Sequence, residues 1–214
     1  MKKTSIQILK TISITLLTLA LEAPLIANAA NVTVEVSDSK GKLLTDAIVF
    51  LENGNHAKVL TTKVVIEQKN KRFNPLVTVV QTSTRVNFPN NDSVRHHVYS
   101  FSPAKKFELK LYSGVPADPV LLDKSGTIVL GCNIHDSMLA FVYVVDTPYF
   151  AKTDSTGTVK LVDIPEGNYQ LKVWHYALQK ENVPFEQAVE VKESNKISIK
   201  IEINDANLVQ SRPI

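Results

Sequence analysis

Cys132, His135 and Met138 fall within one seven-residue stretch of GTIVLGCNIHDSMLAFVYVV, spaced C-x2-H-x2-M. A thiolate, an imidazole and a thioether are soft or borderline donors, and they suit copper better than Mg or Ca. Two His and one Cys in a trigonal array, with a weak axial Met, form a donor set that copper accepts in both oxidation states. The stretch supplies all of that set except one His. The other histidines are His56, His96, His97 and His175. His96 and His97 open the run HHVYSF after the polar loop NNDSVR. An upstream His at the start of a strand can meet a downstream Cys loop at one rim when two sheets pack face to face. Cys and His alone would also suit zinc, but Met138 as a third loop ligand argues against it. Without a metal, Cys132 would be a small buried hydrophobe and His135 a hydrogen-bonded loop residue.

These donors need a setting that keeps a thiol intact. The first residues, MKKTSIQILK, are basic. TISITLLTLAL is a short apolar run, and ANAA closes the segment with small residues. This is the layout of a secretory signal peptide cut after Ala29. Glu22 interrupts the run, which is too short to span a bilayer comfortably. The expectation is a periplasmic protein with no membrane anchor after cleavage. The 24 basic residues less Lys2, Lys3 and Lys10 leave 21, and the 21 acidic residues less Glu22 leave 20. A net charge near +1 gives no footprint for nucleic acid. The remaining chain has one Cys, Cys132, and one Met, Met138. A lone thiol in an oxidising compartment forms no internal disulfide and is open to oxidation unless a metal holds it.

The elements that must position the donors read as strands almost throughout. NVTVEV places Val32, Val34 and Val36 on one face. Further runs are DAIVFLE, KVVIEQ, LVTVVQ, RVNFPN, HVYSF, FELKLY, GTIVLGCN, LAFVYVVD, TVKLVD, YQLKVWHY, QAVEVK and KISIKIEI. Each is short, rich in Val, Ile, Phe or Tyr, and bounded by turn residues. Many short strands with regular turns predict an all-β chain built as antiparallel sandwiches. Soft boundaries fall at residues 52–62 and at Asp146-Thr147-Pro148.

RHHVYSF followed by CNIHDSM resembles the cupredoxins, and the C-x2-H-x2-M spacing is most similar to amicyanin. RFNPLVTVVQTSTRVNFPNND resembles the strands that precede the first ligand in that family. The resemblance covers roughly residues 62–146. It implies a Greek-key β-sandwich that holds one type 1 copper ion through His96, Cys132, His135 and Met138. Cupredoxins usually carry His-Asn-Val at the first ligand. Aligned on Val98, this chain puts His96 at the ligand and His97 in place of Asn, so His97 stands as the alternative to His96. Cupredoxins often have an aromatic two residues before the Cys, while here Leu130 and Gly131 precede it.

The two ends, VTVEVSDSKGKLLTDAIVFLE and YFAKTDSTGTVKLVDIPEGNYQLKVWHY, resemble pieces of the carboxypeptidase regulatory-like, or transthyretin-like, β-sandwich. The expected organisation is a signal peptide over 1–29, a flanking sandwich from 30–61 and 147–205, a copper module over 62–146 inserted within it, and a loose tail over 206–214. The resemblance implies a monomeric periplasmic electron carrier, not an enzyme, that exchanges electrons with partner proteins. The alternatives are a copper chaperone or scavenger, and a structural β-sandwich without metal. Trp174 is expected in a strand core, with His175 on the surface. Lys105, Lys106 and Lys110 read as a solvated strand edge or as a docking patch for an acidic redox partner. Asp136 is expected to tune His135 or to cap the loop.

Overall fold

The computed structural model describes residues 29–54, 57, 63–116, 118–180 and 183–208. The predicted leader up to residue 28, His56, most of the predicted 52–62 boundary and the tail beyond 208 lie outside the described residues. The first residues of that tail lie in a short 3-10 turn, Asp205–Asn207, capped by the Asn204 side chain.

Among the described residues the chain is built of strands. The first two are β1 (Ala29–Asp38) and β2 (Ile48–Glu52). The middle holds β3 (Val64–Val65), β4 (Glu67–Lys69), β5 (Arg72–Asn74), β6 (Val77–Gln81), β7 (Thr84–Asn87), β8 (His96–Ser102), β9 (Lys105–Tyr112), β10 (Val120–Leu122), β11 (Gly126–Gly131) and β12 (Leu139–Val145). The last part holds β13 (Phe150–Lys152), β14 (Thr158–Pro165), β15 (Gly167–Trp174), β16 (Phe185–Val191) and β17 (Asn195–Ile201). The three-residue strand β10 has no counterpart in the sequence reading, because so short a segment shows no period.

The strands sort into sheets by their place in the chain. Those from the two ends form a three-stranded sheet, β14-β1-β17, and a four-stranded sheet, β13-β2-β15-β16. Those from the middle form a five-stranded sheet, β6-β12-β11-β8-β9, a three-stranded sheet, β10-β7-β3, and the β4-β5 hairpin. The pairing is not purely antiparallel as expected. β1 runs parallel to β17, β3 to β7 and β6 to β12. Each parallel pair joins strands well separated in sequence, which alternation within a single strand does not reveal.

Side-chain alternation makes the layers. In β1, Val32, Val34 and Val36 are fully buried, while Thr33 and Glu35 between them are half-buried. β2 breaks this pattern: Ile48, Val49, Phe50 and Leu51 are all buried. A continuous apolar run marks a strand covered on both faces. On one side, Phe50 meets Tyr143 of β12 with ring centroids 5.6 Å apart. Trp174 stacks on the same Tyr143 at 4.8 Å, and Tyr176 stacks on Phe141 at 5.0 Å. Such pairs contribute about 0.5–1.5 kcal/mol each beyond the area they bury. Val77, Tyr143 and Val145 of the middle segment thus belong to the hydrophobic cluster formed by the two ends. The Thr147 hydroxyl donates to the Leu51 carbonyl at 2.6 Å and ties the exit of β12 to β2. A second cluster lies between the five-stranded and three-stranded sheets. It contains Phe88, Val98, Ile128, Leu130, Cys132 and Met138.

Candidate metal centre

β11 and β12 are paired from Gly126↔Val144 to Gly131↔Leu139. Cys132 and Met138 are therefore the first residues beyond the ladder on either side of one hairpin. Both turn inward, Cys132 4% and Met138 2% exposed, within the cluster of the middle sandwich. The Met138 amide donates to the His135 carbonyl at 2.9 Å and folds the loop back on itself. His135 sits half-buried at the rim, while Asn133, Ile134, Asp136 and Ser137 are exposed. Among the described residues, exposed Asp136 forms no hydrogen bond with His135 or with the loop backbone.

β8 delivers the second histidine. Its pairing with β9 shifts register between His96 and Val98, a bulge-like irregularity that leaves both histidines buried. His96 is 0% exposed and belongs with the inner face. Ligand atoms of His96, Cys132 and His135 all lie within 4.8 Å of one another. The two rings meet edge-on with centroids 5.1 Å apart. His97 stands outside this group. Its Nε2 bonds Glu108 Oε1 at 2.8 Å, and its ring lies 5.6 Å from that of Tyr99.

The buried polar atoms test whether a metal fits. Nδ1 of His96 and Nδ1 of His135 are buried with no hydrogen-bond partner. A buried polar atom without a partner costs about 1–3 kcal/mol, and the two histidines that carry such atoms are grouped with a buried thiol that shares its cluster with a thioether. This is a soft, neutral-to-anionic donor set, and it fits copper. His96 Nδ1, His135 Nδ1, Cys132 and Met138 would hold the ion.

A frame of hydrogen bonds around the β7–β8 loop supports His96. Asn90, 4% exposed, exchanges backbone bonds with Gly114. Its side-chain amide donates to the carbonyls of Val94 and Tyr112 at 2.9 and 2.8 Å. Gln68, fully buried, donates to the Phe88 carbonyl and to the Tyr112 hydroxyl, which itself donates to Phe88 at 2.6 Å. Burial pushes the Tyr112 phenol up to about 12, and the neighbouring Cys132 thiolate would add to the rise. Asp92 holds His96 Nε2 at 2.7 Å. Burial raises the Asp92 carboxyl, but the Lys71 amide, the His96 ring and the Asn70 amide outweigh it and leave it below its ordinary value. Sequence reasoning missed Asp92, Asn90, Gln68 and Tyr112. Only the polar loop NNDSVR marked the neighbourhood of the first two.

Tyr99 packs against the residue that precedes Cys132. Gly131 pairs directly with Tyr99 across the sheet. A Cβ at Gly131 would stand 2.6 Å from the Tyr99 ring. The ring thus covers the bare backbone immediately before the cysteine, from the neighbouring strand instead of from the same one.

His175 corrects the sequence reading. It is 2% exposed, not on the surface. The chain folds over it after β15, with Leu178 bridging to Ile203. Both ring nitrogens are occupied: Nδ1 accepts from the Ala177 amide at 3.1 Å, and Nε2 faces the Thr45 carbonyl at 3.2 Å. Trp174 is buried, as expected for a strand core.

No protein-family model and no curated protein matches this chain. Solved structures do. A Cu-containing nitrite reductase from Thermus scotoductus SA-01 is 22% identical with a TM-score of 0.37, over 45% of this chain and 25% of that one. A purple cupredoxin from Nitrosopumilus maritimus is 19% identical with a TM-score of 0.34, over 39% of this chain and all of that one. A reduced Cu(I) form of an amicyanin mutant is 16% identical with a TM-score of 0.36, over 45% of this chain and 98% of that one. The chain spans about a quarter of the length of the nitrite reductase.

Proposed function

We propose that the chain is a periplasmic electron carrier that holds one type 1 copper ion in the His96, Cys132, His135 and Met138 site. The observation that carries this reading is that ligand atoms of His96, Cys132 and His135 lie within 4.8 Å of one another while Nδ1 of both histidines is buried without a partner. Copper bound there would supply a one-electron Cu(II)/Cu(I) couple. The chain's own part is to hold the donors in place. The hairpin base fixes Cys132 and Met138, and the β8 start fixes His96. Their burial keeps water from the thiolate. Three strong donors plus Met138 leave no open position for a substrate, which favours a carrier over a catalyst. The half-buried edge of His135 is the contact for a redox partner. Exposed Ile134 beside it and exposed Val94 and Val115 near the Asn90 frame give that rim an apolar surface.

The organisation that supports this role is a cupredoxin-like Greek-key module inserted into a transthyretin-like sandwich. The pairing of β1 and β2 with strands from the end of the chain favours it. Export rests on the leader pattern of residues 1–29, and we take the protein to act as a monomer.

A second reading, a copper chaperone that holds Cu(I) without cycling, is favoured by the exposed ligand loop, from which an ion could be handed on. Cu(II) added to the reduced, metal-free protein separates the two by visible absorption. An intense thiolate-to-copper band supports the carrier. Tight Cu(I) binding with no band supports the chaperone, and binding of neither ion overturns both.

A further inference from the structure

The β4–β5 hairpin, in the same sandwich as the site, reaches into it through its turn. The turn residues Asn70 and Lys71 both have φ of 54°. Two successive left-handed residues are the mark of a type I′ hairpin turn, and here both amides point at one carboxylate. The Asn70 amide donates to Asp92 Oδ1 at 2.6 Å, and the Lys71 amide donates to Oδ2 at 2.9 Å. Oδ2 also meets His96 Nε2 at 2.7 Å. The Asp92 amide in turn donates to Asn90 Oδ1 at 3.0 Å. The carboxylate is thus fixed by the hairpin turn, its own loop and the histidine.

An ionised carboxylate only accepts hydrogen bonds. The ring nitrogen it faces must carry the proton. That leaves the lone pair on His96 Nδ1, the atom that is buried without a partner. His135 differs, since its ring has no hydrogen bond to any carboxylate among the described residues. The two histidines of the site are therefore electronically unequal.

We propose that the Asn70–Lys71 turn and Asp92 form a relay that locks His96 in the Nε2–H tautomer and makes it the electron-rich histidine of the pair, so that the site favours Cu(II) over Cu(I). The inference rests on the copper reading of the site. A carboxylate behind a ligating imidazole orients the ring and raises its basicity. A negative charge held near the ion also favours the more highly charged oxidation state. Asp92 and the turn are positioning residues, since neither touches the ion.

The test has two readouts, one of which needs no metal. In the 15N-labelled metal-free chain, the ring-nitrogen shifts of His96 report its tautomer. The native chain is expected to show Nε2–H alone. Asp92→Ala is expected to give a mixture of tautomers. Asp92→Asn keeps an acceptor oxygen and so keeps the tautomer, but it removes the charge. In the copper-loaded chain, Asp92→Asn is expected to shift the Cu(II)/Cu(I) affinity ratio about tenfold toward Cu(I), a rise of about 59 mV for a one-electron couple. Asp92→Ala is also expected to weaken metal binding 10–100-fold, the range of about one to two decades typical of lost outer partners.

A native tautomer in a folded Asp92→Ala chain overturns the relay, as does an unchanged potential in Asp92→Asn. If Asp92→Ala does not fold, the Asp92→Asn potential decides. If no variant binds copper but Asp92→Ala still releases the tautomer, the relay stands and the copper reading fails.

Discussion

His175 and the His96–His135 pair lie in the two halves of one chain, and their ring nitrogens are treated in opposite ways. His175 gives up both nitrogens to the backbone of its own half. Burial depresses its pKa to about 4, against weaker upward pulls from the Thr45 carbonyl and Asp46. It is a neutral structural group. The other two each keep a buried Nδ1 with nothing to bond, beside a thiol. A fold normally pairs its buried polar groups, so the nitrogens left over point to what the site is built to receive. His97 limits the rule. Its Nδ1 is also buried and partnerless, yet it lies outside the thiol cluster. An orphan atom is informative where several converge, not singly.

The sharpest way to break the contrast is Cys132→Ser. It is expected to abolish the thiolate-to-copper band completely, read by visible absorption after Cu(II) addition, while the unfolding of the end-strand sandwich continues to follow its native pH profile. A retained band would end the site assignment.

The second probe acts on the other half. The His175 pKa is near 4 when folded, against about 6.5 in the unfolded chain. Below pH 6.5 the unfolded chain takes up a proton that the folded chain refuses. Stability is therefore full above about pH 6.5 and declines as pH falls toward 4, by about 3 kcal/mol in all. Urea melts from pH 7 to 4 would show this slope. His175→Gln should flatten it, and an unchanged slope would mean that His175 is not the group responsible.

Smaller effects follow at the edges of the site. Gly131→Ala drives a methyl into the Tyr99 ring, and overpacking of this kind costs about 1–3 kcal/mol. Chemical denaturation should record the loss, and Tyr99→Ala in the same chain should recover most of it. His97→Gln is expected to change least: copper affinity stays within about threefold of native, since no ligand is lost and the 1.4 kcal/mol that marks a decade is not reached. A decade of loss in a copper titration would make His97 a member of the site.

The difference between the halves also explains what was legible in the sequence. Cys132, His135 and Met138 belong to one hairpin loop, so their spacing alone shows them together. His96 could be paired with them because a strand start after a polar loop has few places to go. Asp92 was silent, because its role depends on a hairpin turn some twenty residues away, at Asn70 and Lys71, that no local pattern connects to it. Tyr99 was silent for a related reason. The ring that packs on Gly131 comes from across the sheet, and a search along the strand finds only the glycine. The valines of β1 were placed correctly by alternation. β2 buries every residue from Ile48 to Leu51 because a second layer covers it, and alternation cannot register a neighbour on the far side. His175 was misplaced because its ring is enclosed by Thr45, far away in sequence, and by the turn after β15, neither of which the strand pattern registers.

Trp174 is the only tryptophan in the chain, and its ring is stacked on Tyr143 of the strand that leaves the ligand loop. The protein therefore carries a single tryptophan fluorophore placed at the seam between its halves. Its emission is an optical gauge of whether that seam is closed: blue-shifted while the ring is sealed, red-shifted once water reaches it, with no label to add and no second tryptophan to subtract.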